Sequence, residues 1–257
     1  MYRTAYLIAF NTIVIKEVSR FTRIWVQTII PPAVSMTLYF VIFGNLIGSR
    51  IGEMSGYSYI QYIAPGIIMM AIINNSYANV VSSFFSSKFQ RHIEEMLVAP
   101  IPNLIILAGF VSGGVARGLI VGLVVTLIAL FFTRLDVQHP FIVFSIVLMT
   151  SILFSLGGLI NGIFARKFDD ISIVPTFILT PLIYLGGVFY SIDLLPELWQ
   201  AVSRFNPILY MVNAFRYGLI GESDIEVTMA FTIIGIFIAV LFAFSLYLLN
   251  IGKGIKN

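Results

Sequence analysis

The sequence predicts an all-α fold: a polytopic membrane protein with six transmembrane helices, an N-terminal interfacial helix and a re-entrant helical hairpin before the last span. Two observations carry this prediction. Apolar residues make up 59% of the 257-residue chain and charged residues only 11%, a balance far from that of soluble domains. The charges also fall between long runs that carry none: nothing ionises over 24–49, 54–87 or 118–133, and over 137–165 only His139 does. About 20 apolar residues cross the hydrocarbon core of a bilayer. That length rule places spans at 29–47, 60–85, 104–132, 141–164, 171–189 and 227–249. No polar linker separates a second unit, so residues 1–257 read as one membrane domain.

The first element, residues 5–27, has helical periodicity. Lys16, Arg20, Arg23 and Gln27 project on one narrow face, opposite Leu7, Phe10, Val14, Val18, Phe21 and Trp25. Such a helix lies in the interface with its cations among headgroups, or is an ordinary basic flank of the first span. Pro31-Pro32 marks the expected bend into that span. The stretch does not read as a signal peptide, because Asn11 and Thr12 interrupt its apolar run and no small-residue cleavage site follows.

In the second span, Asn75, Asn79, Ser82 and Ser86 recur at helical spacing and form a polar stripe. It lines either a pathway or a helix–helix interface. The third span carries Gly114, Gly118 and Gly122, and the fourth Ser151, Ser155, Gly158 and Gly162. Small residues at this spacing let helices approach closely. Arg117 is placed deep in the third span, with no acid in any span to pair it. It is therefore either a functional residue or one that fixes packing through a carbonyl or polar side chain.

Between the second and third spans lies the short amphipathic segment 88–100. Ser86 or Ser87 is available to cap it, and Pro100 and Pro102 end it. Ile93, Met96 and Leu97 offer an apolar face, and Arg91, Glu94 and Glu95 offer ionic contacts. It is either a helix docked in another chain's groove or a connecting helix on the membrane. Asp169 and Asp170 precede the fifth span, either as a second contact or as solvated charges beside Arg166 and Lys167.

Residues 190–226 are apolar but broken by Asp193, Glu197, Arg204 and Arg216 into pieces too short to span. Asp193 near Pro196 marks one helix start, Asn206-Pro207 another, and Gly221 a stop. Two short helices dipping into the outer leaflet fit this pattern.

Lys and Arg divide unevenly between the loops. Arg3, Lys16, Arg20, Arg23, Lys88, Arg91, Arg166, Lys167, Lys253 and Lys256 fall on one side, against Arg50, Arg134, Arg204 and Arg216 on the other. The positive-inside rule then puts both termini in the cytoplasm. The same bias accounts for the net charge of +3 without a nucleic-acid partner. With no cysteine there are no disulfides or thiolate metal sites. His92 and His139 are the two histidines and fall on opposite sides, which leaves no catalytic or metal-binding constellation.

Taken together, the basic first helix, the six spans, "IEEMLVAP" at 93–100 and the spaced Leu195-Pro196, Trp199, Asn206-Pro207 and Tyr210 resemble the ABC-2 family of transporter permeases. The resemblance covers nearly the whole chain. It implies a homodimeric export permease of a bacterial inner membrane, bound to two copies of a separate ATPase chain. Residues 88–100 would be the coupling helix and 190–220 the re-entrant hairpin. ATP and Mg2+ would bind the partner, with no cofactor in this chain; the sequence has no Gly-x-x-x-x-Gly-Lys-Ser/Thr loop. The competing class is an ion- or proton-coupled carrier, which the lack of acids inside spans disfavours.

Overall fold

The computed structural model describes residues 2–252 and 254. Lys253 and Lys256, expected among the cytoplasmic cations, and the side chain of Arg3 lie outside the described residues. The chain is helical almost throughout. Its elements are α1 (Tyr2–Arg23), α2 (Trp25–Tyr39), α3 (Gly48–Ile51), α4 (Tyr59–Phe89), α5 (His92–Val98), α6 (Asn103–Phe132), α7 (Pro140–Phe164), α8 (Asp170–Val174), α9 (Thr180–Tyr184), α10 (Glu197–Arg204), α11 (Pro207–Ile220) and α12 (Val227–Ile251). A π-helical stretch, Phe40–Ile47, joins α2 to α3, and another, Pro175–Leu179, joins α8 to α9.

Among the described residues, five helices are long and apolar enough to cross a membrane: Trp25–Ile51, α4, α6, α7 and α12. The expected fifth span differs. Its continuous helix runs only Asp170–Tyr184, which at 1.5 Å per residue reaches about 22 Å against a hydrocarbon core of about 30 Å. Gly187 at φ +69° turns the chain away soon afterwards.

The α4 helix is the axis of the fold. It packs along both α6 and α7, and 83% of its most apolar window is buried, against 11% for α12. The glycine seams explain how three helices approach so closely. A Cβ at Gly118 would collide with Ser76 Oγ, and one at Gly114 with Ser155 Oγ. On α7 a Cβ at Gly158 would collide with the Tyr77 carbonyl oxygen of α4, and one at Gly162 would sit tightly against Phe84.

Two boundaries depart from expectation. Pro31 and Pro32 lie inside α2, and the chain breaks at Ile24 (φ −108°, ψ 37°), between α1 and α2. There the Thr28 hydroxyl donates to the carbonyls of Phe21 and Ile24 and joins the two helices. A two-residue hairpin, Glu53–Met54 against Tyr57–Ser58, follows α3. Ser55 and Gly56, with φ of 51° and 80°, make its turn, which suits the twist of paired strands.

Candidate functional site

The 88–100 segment is divided. Lys88 and Phe89 complete α4, and neither Ser86 nor Ser87 caps α5. Lys88 Nζ donates to the carbonyls of Ile163 and Ala165 at 2.6 and 2.7 Å. It thereby satisfies the end of α7, where a cation also complements the helix dipole. Arg91 then takes the left-handed conformation (φ 63°) and redirects the chain into α5.

Helix α5 shows two different faces. Ile93 is fully buried, in a cluster that includes Phe84, Phe110 and Ile163. Met96 and Leu97 are half-buried against the same cluster, so the helix bundle itself occupies much of the apolar face expected to dock a partner. Arg91, Glu94 and Glu95 remain exposed, and beside them Val98 is 87% exposed. The outward surface therefore combines two carboxylates, a guanidinium and one projecting valine.

Near this end of the bundle Asp169 is exposed. Asp170 is committed locally: its Oδ2 accepts from the backbone N–H groups of Arg166 (2.9 Å) and Lys167 (3.2 Å), closing the turn into α8. Phe85, Phe89 and Phe168 form a cluster of rings at the same level.

The polar stripe faces protein. Asn75 accepts from Arg117 Nη2 at 3.1 Å. Arg20 Nη2 donates to the carbonyl and to Oδ1 of Asn79, at 2.9 and 2.8 Å, and its Nη1 stands 3.5 Å from Ser82 Oγ. Ser86 is half-buried at the end of the row. Arg20 therefore leaves the headgroup-facing stripe in which periodicity placed it, because Asn79 offers two acceptors within reach of α1.

Periodicity also missed Glu17, whose side chain is fully buried. Ile13 and Glu17 sit where Cβ atoms of Gly109 and Gly113 would be, so α1 leans on the first half of α6. The Glu17 carboxylate accepts from Ser83 Oγ at 2.6 Å and lies 3.7 Å from Arg20. Burial raises its pKa, while the Ser83 hydrogen bond and the Arg20 charge oppose that rise. A single acid three residues before Arg20, in an otherwise basic helix, was the available signal.

At the other end, Asn206 caps α11 by accepting from the Ile208 N–H at 3.0 Å, and its Nδ2 donates to Leu182 O. Pro207 opens that helix, Tyr210 Oη donates to Arg204 O, and Gly221 at φ +77° ends it. Pro196 precedes α10, whose Leu198, Trp199 and Val202 are exposed, as is Phe205 just after it. Trp199 lines an open cleft of 510 Å³ with Phe43, Tyr184, Phe189 and Tyr190. Arg216, expected in an outer loop, is instead completely buried.

The sequence as a whole has counterparts in known proteins. The ABC-2 type transporter model matches residues 8–220. The inner membrane transport permease YadH of Escherichia coli (strain K12) is 56% identical over 252 residues, covering 98% of each chain. Its counterpart in Shigella flexneri matches to the same extent. Nodulation protein J of Rhizobium leguminosarum bv. viciae is 22% identical over 83% of each chain. A five-helix apolar core, matched almost end to end by a transport permease, places this protein as a permease chain of the ABC-2 type transporter family.

Proposed function

We propose that this chain forms the membrane pathway of an ATP-driven exporter of a bacterial inner membrane. Two copies assemble as a homodimer, and two copies of a separate ATPase chain bind their cytoplasmic faces. ATP and Mg2+ belong to the partner, and this chain holds no cofactor. Binding of ATP draws the ATPase chains together and biases the permease between two states.

The outward face of α5 carries this reading. Ile93 anchors the helix to the bundle, while Glu94, Glu95, Arg91 and Val98 project away from it. A rigidly seated helix with a charged, protruding surface suits transmission of a push from a docked partner. Asp169 extends the surface, and Asp170 shapes the turn that presents it.

On this reading both termini are cytoplasmic and α1 lies in the interface. Asp170–Tyr184, together with the turn after it, makes the fifth of the six crossings, and α10 and α11 form a re-entrant hairpin at the outer end. The stacked rings of Tyr39, Phe43, Phe189 and Tyr184 then face the pathway between copies. No Asp or Glu lies within the five long helices, which counts against an ion- or proton-coupled carrier.

The test is affinity purification of the chain from its native membrane, with mass spectrometry of what accompanies it. A stoichiometric ATPase chain is expected. Transport by the chain purified alone would overturn the proposal.

A further inference from the structure

The helices α1, α4 and α6 bring two guanidinium groups together with more donors than acceptors. Arg20 and Arg117 rest on Asn79 and Asn75, one helical turn apart on α4. The register of α1 on α6 agrees, since Ile13 meets Gly109 and Glu17 meets Gly113. One further turn brings Arg20 and Phe21 level with Arg117.

Each guanidinium carries five N–H donors and no acceptor. Arg117 spends one on Asn75. Arg20 spends two on Asn79 and stands at long range from Ser82. The Nε of both arginines is buried with no partner, and so is Nδ2 of Asn79. A buried donor without an acceptor is costly, so this geometry favours an incoming group rich in acceptors. Glu17 is the one carboxylate at the cluster, and its Oε2, 3.7 Å from Arg20 Nη2, is buried without a hydrogen bond; that single acidic group stands against two guanidinium groups.

The cluster is also reachable. The Arg20 side chain is 31% exposed, and Lys16 and Arg23, one turn to either side of it on α1, are exposed. Trp25, just beyond the Ile24 break, is 55% exposed. An amphipathic helix with exposed cations and a tryptophan at its end sits at headgroup depth. Arg117, on the neighbouring turn of the cluster, is half-buried and not sealed off.

We propose that Arg20 and Arg117 form a binding site for the phosphate group of a lipid in the leaflet where α1 lies. Two non-bridging acceptor oxygens sharing a negative charge match the unused donors, and guanidinium pairs phosphate in fork geometry. The placement of α1 at headgroup depth rests on the proposed topology. The binding itself requires neither an ATPase nor transport, so it is tested apart from them.

Trp25 and Trp199 are the two tryptophans, so a Trp199→Phe background leaves Trp25 as the reporter. This protein, in detergent, is titrated with brominated phosphatidylglycerol or with brominated diacylglycerol, which lacks the phosphate, and quenching of Trp25 is followed. The expected result is a preference for phosphatidylglycerol of about tenfold, equivalent to one strong charge-assisted contact. It should persist in about 1 M salt, where exposed charges are screened beyond about 3 Å. Arg117→Gln should abolish the salt-resistant preference and Arg117→Lys keep part of it, whereas Lys16→Gln with Arg23→Gln should remove only the salt-sensitive part. Competition by millimolar inorganic phosphate would show that the phosphate group alone suffices; its absence would show that the lipid is needed. A preference lost in high salt in the unsubstituted reporter protein would overturn the proposal, and that measurement requires no substitution at the site. An Arg117→Gln protein that is monodisperse and keeps the salt-resistant preference would overturn it as well.

Discussion

The guanidinium carbon of Arg216 stands 4.0 Å above the ring centre of Tyr62, and its Nη1 donates to the hydroxyl of the same tyrosine at 3.1 Å. One cation thus uses both the face and the polar tip of one ring. Its Nη2 donates to Gly187 O at 2.6 Å and its Nε to Tyr62 O, while Asp224 lies 4.0 Å away. Asp224 in turn accepts from the Ile192 N–H. Arg216 therefore fastens α11 to the start of α4, to the turn after α9 and to the loop before α12. Guanidinium suits this task, because it is weakly hydrated and its donors point in fixed directions.

Replacing Arg216 with Met should leave these acceptors and Asp224 without their charged partner. The expected loss is about 3–5 kcal/mol, the range for breaking a buried ion pair. Tyr62→Phe keeps the ring under the cation and loses the hydroxyl, at about 1 kcal/mol. Thermal unfolding of the detergent-purified proteins orders the two variants. Equal midpoints would contradict the clamp.

Glu17 makes stability depend on pH in a stated direction. Burial raises its pKa above the ordinary value of 4.5, so the folded protein keeps a proton that the unfolded chain releases. The stability contributed by this group is complete below the ordinary value and falls as pH rises through the folded-state value. Glu17→Gln should remove that fall. Thermal midpoints measured from about pH 4 to about pH 8 should favour the variant increasingly as pH rises, and a difference constant with pH would refute the assignment.

The small-residue seam should resist enlargement. Gly118→Val places side-chain carbons against Ser76 and Ser151, both fully buried. Forcing α6 from α4 should cost about 1–3 kcal/mol or more. A monodisperse protein of unchanged thermal midpoint would show that the seam yields freely.

The outward face of α5 can be reversed without disturbing its anchor. Glu94→Lys with Glu95→Lys leaves Ile93 in place and changes two exposed side chains, so the melting temperature should change little. If the proposed ATPase partner docks here, its stimulation by the permease should fall at least tenfold, the effect of losing about 1.4 kcal/mol of docking. Undiminished stimulation would remove α5 from the docking surface. Val98→Asp, which alters the most exposed apolar residue of that helix, should have the same effect.

By itself the sequence determined the spans at 29–47, 60–85, 104–132, 141–164 and 227–249, because bilayer thickness demands long charge-free runs and these are read directly. It also determined the caps at Asn206-Pro207 and Gly221, which depend on local backbone chemistry, and the glycine seams, whose spacing is that of a helix face. Tertiary structure alone decided which side chains meet. Glu17 and Arg20 turn inward because α4 and α6 present Ser83, Asn79 and a groove at Gly113, none of which the periodicity of α1 contains. Arg216 looked like a loop cation because charge placement records position along the chain, and its acceptors lie on Tyr62 and Gly187. The Asp170–Tyr184 helix falls short of its apolar run because Gly187 turns the backbone where hydropathy still reads as span. A pattern along one segment records what that segment avoids, namely water, and the partner it meets is set by the segments folded against it.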